Sequence, residues 1–79
     1  MIVKPKDDGK SKTYLFDTGE EVTLWPYLEV WEYYHEKDNE YCNGIYVLND
    51  NTVEDFDGVF WLPSAVIEAF KAYGYKVDL

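Results

Sequence analysis

The chain has 79 residues and a formal net charge of −9, from sixteen acidic residues against seven lysines and no arginine. Its 47% hydrophobic and 19% aromatic content excludes a disordered acidic tail, because disorder goes with few aromatics and low hydrophobicity. A single cysteine, Cys42, excludes an internal disulfide and a cysteine-based zinc cluster. At this length we expect one compact domain over residues 1–79.

The charge is unevenly distributed along the chain. Residues 1–12 carry four lysines and two aspartates, whereas residues 13–79 carry three lysines and fourteen acidic residues. Nucleic-acid binders need a basic stripe, and arginine is the preferred side chain for phosphate recognition. We therefore expect no direct binding to nucleic acid or to a membrane, and we expect the partner to present a basic protein surface.

The N-terminal third of the chain predicts short strands separated by turns. Residues 1–4 predict a short strand, and the loop that follows is rich in turn-forming residues. Residues 13–16 and 21–24 then predict the two strands of a hairpin, joined by a turn at 17–20.

Residues 27–36 fit either a strand or a helix. Helical spacing collects most of the apolar side chains on one face and the glutamates on the other. Four aromatics and a valine in ten residues nevertheless suit a pleated surface better, and residues 41–48 offer a partner strand across a charged turn. We therefore favour the strand. The alternative is a second helix at about residues 26–37, which a type I′ turn at Asn43-Gly44 would favour.

The C-terminal part of the chain predicts a further strand at residues 52–56 and then one helix. The helix should begin close to Pro63, which suits a first helical turn. It should end at Gly74 in a left-handed conformation, with Tyr75 packing on Phe70. A last strand is predicted at 76–79.

These elements define an α+β fold. We expect a small antiparallel β-sheet of about four to six short strands, with the C-terminal helix packed on one face.

Two clusters of chemically active residues resemble functional sites, and we expect neither of them to be one. The Asp- and Asn-rich segment near Gly58 does not match a calcium-binding loop, because Val53 and Ser64 would occupy its first and last ligand positions. His35 and Cys42 could form a base and nucleophile pair, but a lone cysteine is usually a small core residue. We therefore expect no enzyme, with no catalytic residue, no metal site and no cofactor.

Carboxylates and tyrosines are the candidate binding residues. Tyrosine is a preferred interface anchor because its ring buries apolar area while its hydroxyl tolerates water. The alternative for these tyrosines is a half-buried sheet with hydroxyls at its rim. The predicted acidic partner-binding residues are Glu29, Glu32, Glu36, Asp38, Glu40, Glu54, Asp55 and Asp57. The predicted aromatic anchors are Tyr33, Tyr34, Tyr41 and Tyr46.

Two functions are consistent with this pattern. The first is an inhibitor or decoy whose carboxylates occupy a basic groove that evolved to hold phosphates, and so mimic nucleic acid. Phage-encoded inhibitors of restriction, CRISPR and DNA-repair systems are often of this size and charge, and the analogy extends no further. The second is a structural or accessory subunit that docks through an aromatic face or a sheet edge, with a homo-oligomer among its arrangements.

The expected location is the cytoplasm, which would be the host cytoplasm if the gene belongs to a phage. The sequence begins without a basic and apolar leader, and it has no apolar run of about 18 residues.

Overall fold

In the computed structural model, which describes residues 1–57 and 62–77, seven strands form one sheet and a single helix packs on one of its faces. The elements in chain order are β1 (Ile2–Asp7), β2 (Lys12–Phe16), β3 (Glu20–Trp25), β4 (Val30–His35), β5 (Glu40–Asn49), β6 (Thr52–Asp57), α1 (Ser64–Tyr73) and β7 (Lys76–Val77). The strands lie in the sheet in the order in which they occur in the chain. Neighbours from β1 to β6 are antiparallel, and β7 is parallel to β6.

The predicted α+β class with one C-terminal helix is confirmed, and the sheet has more strands than predicted. The last strand also differs in direction from the antiparallel arrangement that we expected. Helix α1 connects β6 to β7, and a parallel neighbour needs a crossover of this kind, whereas an antiparallel neighbour can follow a tight turn.

The ambiguous segment forms strand β4, and the alternative of a second helix is wrong. A turn precedes β4, and the ladder then pairs Tyr33 with Cys42 and His35 with Glu40. The sequence Asn43-Gly44 forms no turn, because both residues lie inside β5 and pair with β4. The helical spacing in this segment is coincidental. Some of its apolar residues lie in the turn before β4, and the others lie on both faces of the strand.

The turns around β4 and β5 use left-handed residues. Asp50 and Asn51 have φ values of 50° and 69°, as a two-residue type I′ hairpin requires. Glu29 and Asn39, with φ values of 54° and 49°, each end a four-residue turn that flanks β4. The two turns therefore lie at opposite ends of β4.

The core lies between α1 and the face of the sheet that α1 covers. Trp31 and Phe70 are both fully buried there, and the rings of Tyr46 and Phe70 meet edge to face with centroids 4.8 Å apart. The buried apolar residues are Tyr14, Phe16, Val22, Leu24, Trp31, Tyr33, Tyr46, Val53, Ala65, Val66, Ala69 and Phe70. Large aromatic rings thus supply much of the apolar area of a small core.

The predicted end of the helix is confirmed in detail. Gly74 has a φ of 112°, and its N–H donates to the carbonyl of Lys71 over 3.1 Å. The N–H of Tyr75 donates to the carbonyl of Phe70 over 3.0 Å, which completes a Schellman motif. The ring centroids of Phe70 and Tyr75 lie 6.2 Å apart, so the expected contact between these rings accompanies the motif.

Candidate protein-binding face

The face of the sheet opposite α1 is the candidate site, and we call it the open face. Side chains alternate along each strand, so every second residue of β3, β4 and β5 points to it. The register aligns these residues in three rows across the three strands. The rows are Glu21, Tyr34 and Tyr41; Thr23, Glu32 and Asn43; and Trp25, Val30 and Ile45.

Glu32 is at the centre of this face and both of its carboxylate oxygens accept hydrogen bonds. The indole N–H of Trp25 donates to Oε1, and the hydroxyl of Tyr41 donates to Oε2 over 2.7 Å. The Tyr41 hydroxyl in turn accepts a hydrogen bond from the amide of Asn43 over 3.3 Å. The bond to Glu32 raises the pKa of Tyr41, because it favours the protonated phenol. These contacts join Trp25, Glu32, Tyr41 and Asn43 into one hydrogen-bond network.

The open face has an acidic end and an aliphatic end. At the acidic end, Tyr41 is 56% exposed and Glu21 is also exposed, with a shallow hollow of about 120 Å³ between these residues and Glu32. At the aliphatic end, Ile45 and Val47 of β5 are 50% and 48% exposed. Exposed apolar side chains beside ordered polar ones are typical of protein-binding surfaces.

The predicted acidic residues do not form one surface. Among those between residues 29 and 40, Glu32 lies on the open face, whereas Glu36 and Asp38 lie in the turn that follows β4. Glu40 is paired with His35 on the other side of the sheet. Glu54 is exposed in β6. Asp55 and Asp57 also belong to β6, but their side chains lie outside the described part of the structure.

Glu29 lies at the opposite end of β4 from Glu36 and accepts two hydrogen bonds from β5. Its backbone carbonyl accepts a hydrogen bond from the N–H of Tyr46 over 2.9 Å. Its carboxylate accepts another from the N–H of Leu48 over 3.2 Å, next to the irregularity in the pairing of β5 with β6. Both bonds extend the contact between β4 and β5 beyond the regular ladder.

Two of the four predicted anchors are accessible. Tyr34 and Tyr41 face each other on the open face, where Tyr34 is half-buried. Tyr33 and Tyr46 are 5% and 2% exposed and pack in the core. The prediction that these two anchor a partner is therefore corrected, because a ring enclosed between sheet and helix cannot contact another protein.

Glu21, Trp25 and Asn43 also belong to the open face and were not predicted from the sequence. Each is paired there with a residue of the neighbouring strand β4. The signal that could have found them is strand parity, which assigns Glu21, Thr23 and Trp25 to one side once β3 is paired with β4.

A set of possible metal ligands lies outside the open face. One ligand atom from each of His35, Asp38 and Glu40 falls within 4.8 Å of the others. The contacts already made by the ring of His35 account for its position, since Nδ1 is 3.0 Å from Asp38 Oδ2 and Nε2 is 3.3 Å from the carbonyl of Thr18. The arrangement is a hydrogen-bonded turn, and no other feature of the described residues points to an ion.

Cys42 has the surroundings of a core thiol. It lies opposite Tyr33 on the side of the sheet that α1 covers, and burial followed by the charge of Glu40 raises its pKa. A raised pKa lowers the fraction of thiolate, which is the nucleophilic form.

Comparison with family models, curated proteins and solved structures gives no match for this chain. Within residues 1–57 and 62–77, no helix combines the length and the apolar character needed to cross a membrane.

Proposed function

We propose that this chain is a small acidic protein-binding module that presents the open face of its sheet to a basic surface on a larger protein. The observation that carries the proposal is the composition of that face. It combines the carboxylates of Glu21 and Glu32, the rings of Tyr34 and Tyr41, and exposed aliphatic side chains. Interfaces of this mixed kind bind other proteins through aromatic anchors in a partly polar surface.

The mode of action that we propose is inhibition or decoy binding. Carboxylates on a rigid surface can occupy a basic groove that otherwise holds phosphates, and the net charge of −9 would speed the encounter. A phage-encoded protein that blocks a nucleic-acid-binding defence enzyme in the host cytoplasm is the biological setting that fits. The mechanism needs no catalytic residue, metal or cofactor in this chain.

The aliphatic end of the face supports the second candidate, a structural or accessory subunit. Ile45 and Val47 would contribute little to mimicry of phosphates, but they would stabilise a docked assembly. Docking through the β1 edge is less favoured, because Pro5 lies between Lys4 and Lys6 on that strand and such residues discourage strand addition. Both candidates therefore use the same open face.

Photo-crosslinking in the native host tests the proposal. Asn43 is exposed on the open face and Ala72 is exposed on α1, on the opposite side of the sheet. A benzophenone amino acid at position 43 should crosslink a discrete partner, and the same probe at position 72 should not. Crosslinking from position 72 alone, or from neither position, would contradict the proposal.

The salt dependence of the crosslink separates the two candidates. A decoy that is steered by charge should lose its crosslink as the salt concentration rises. A docked subunit should keep its crosslink in high salt and lose it when Ile45 is replaced by serine. The identity of the crosslinked protein then shows whether its surface holds phosphates.

A further inference from the structure

A second surface of the molecule combines lysines with exposed aromatic side chains. A groove of about 880 Å³ lies between the loop at Gly9-Lys10 and the turn Trp25–Leu28, with Tyr73 of α1 as a wall. A smaller hollow of about 320 Å³ shares part of this lining and extends it to Lys12. We call the two together the lysine–aromatic groove.

Three large side chains that line this groove are exposed to solvent. Tyr27 is 93% exposed and Leu28 is 62% exposed, on a turn that is held by a hydrogen bond of 3.0 Å from the N–H of Leu28 to the carbonyl of Trp25. Exposed Tyr73 adds a third large side chain. A fixed turn that displays adjacent large apolar residues loses favourable burial unless a partner covers it.

The charges around the groove select the chemistry of that partner. Lys10 is exposed on one wall, and Nζ of Lys12 lies 5.7 and 5.8 Å from the ring centroids of Tyr14 and Tyr73. Asp7 also lines the smaller hollow, and its carboxylate accepts a hydrogen bond of 2.9 Å from the N–H of Gly9. The groove thus places the ammonium group of Lys12 beside aromatic rings and a second lysine, Lys10, on its wall, so its two lysines outnumber its one carboxylate.

We propose that the lysine–aromatic groove binds a short extended segment of a partner protein in which a large apolar side chain stands next to an acidic residue. The apolar side chain would pack against Tyr27, Leu28 and Tyr73, and the carboxylate would face Lys10. This inference is independent of the proposed function of the open face. At physiological salt, charges more than about 8 Å away are largely screened, so contact is governed by the local charges of Lys10, Lys12 and Asp7, which sum to a positive value.

Titration of the isotope-labelled protein with synthetic peptides tests this inference. The first probe is a short capped peptide with a Leu-Phe pair flanked by glutamates. In one control peptide glutamines replace the glutamates, and in the other serines replace Leu and Phe. The first probe should shift the amide signals of Gly9, Lys10 and Leu28, which line the groove and do not belong to the open face. The glutamine peptide should bind at least about threefold more weakly, as expected for exposed ion pairs, and the serine peptide should not bind measurably.

Matched variants show whether the groove itself is responsible. Lys10→Gln should weaken binding of the glutamate peptide about threefold or more and leave the glutamine peptide unaffected. Lys37→Gln removes the same charge in the turn after β4, at the opposite end of the β3–β4 ladder from the groove, and should change neither. Tyr27→Ser should weaken both peptides, and the spectrum of each variant reports whether it is folded. Equal effects of Lys10→Gln and Lys37→Gln, or shifts confined to the open face, would overturn the proposal.

Discussion

The hydroxyl of Tyr33 donates a hydrogen bond to Oε2 of Glu20 over 2.8 Å. This bond joins β4 to the beginning of β3 on the side of the sheet that α1 covers. Thr18 donates to the other carboxylate oxygen. The bond from Thr18, and after it the bond from Tyr33, lowers the pKa of Glu20 below its usual 4.5. A carboxyl group with a lowered pKa stabilises the fold above its unfolded-state pKa, and this contribution disappears as the pH falls through the folded-state value.

We predict that Tyr33→Phe destabilises the protein by about 1 kcal/mol at neutral pH, because it removes this hydrogen bond and keeps the buried ring. The difference from wild type should shrink well below pH 4.5, where Glu20 is protonated in both proteins. Urea unfolding at the two pH values measures it. An identical difference in acid and at neutral pH would show that the bond to the carboxylate contributes nothing.

Glu29 provides a prediction that separates structure from binding. Glu29→Ala should reduce the free energy of unfolding by about 0.5–1.5 kcal/mol, because the N–H of Leu48 loses its acceptor. Glu29→Gln keeps an acceptor oxygen and should cost less. Glu36→Ala is the matched control at the other end of β4, where no hydrogen bond to the side chain occurs among the described residues, and it should be nearly neutral. Equal losses for the two alanine variants in urea unfolding would contradict the structural role of Glu29.

Gly74 allows a test of backbone strain alone. An added Cβ would meet no atom within 4 Å, so Gly74→Ala changes the conformational preference at a φ of 112° without a steric clash. We predict a loss of about 1 kcal/mol or more, seen as a lower melting temperature. Gly74→Asn should lose less, since asparagine tolerates left-handed conformations better than alanine does. The Schellman motif would not need glycine if the alanine variant melted like the wild type.

Much of the fold could be predicted because local signals agree with it. The turn residues around Asp50, the proline before α1 and the glycine after it all match the structure. Strand β4 is harder to predict from the sequence. Trp31 and Tyr33 point into the core, whereas Tyr34 points to the open face. With aromatics on both sides, parity cannot assign a buried face until the neighbouring strands are known.

The open face could be predicted only in part, because it is assembled across strands. The sequence showed a run of acidic residues from Glu29 to Glu40, but a turn at each end of β4 separates these carboxylates in space. Glu21 joins Tyr34 through the register of β3 with β4, which depends on pairing rather than on spacing in the chain. Net charge and spacing in the chain therefore could not identify which carboxylates share the open face.

The last prediction concerns two exposed carboxylates close to the Tyr34 and Tyr41 end of the open face. Glu21 is paired with Tyr34, and Glu36 follows β4 directly. If the face meets a basic surface, rim charges of this kind should govern the association rate and its salt dependence more than the lifetime of the complex.

Replacing Glu21 and Glu36 together by Gln should therefore slow association with the crosslinked partner at low salt and flatten the salt dependence of the on-rate. The paired control Asp50→Asn and Glu68→Gln removes the same charge from the β5–β6 turn and from α1, and it should have a smaller effect. Stopped-flow association of the two double variants measures the difference. Equal slowing would assign steering to the net charge alone, and an unchanged on-rate in both variants would exclude the decoy mechanism and leave docking through the aliphatic end.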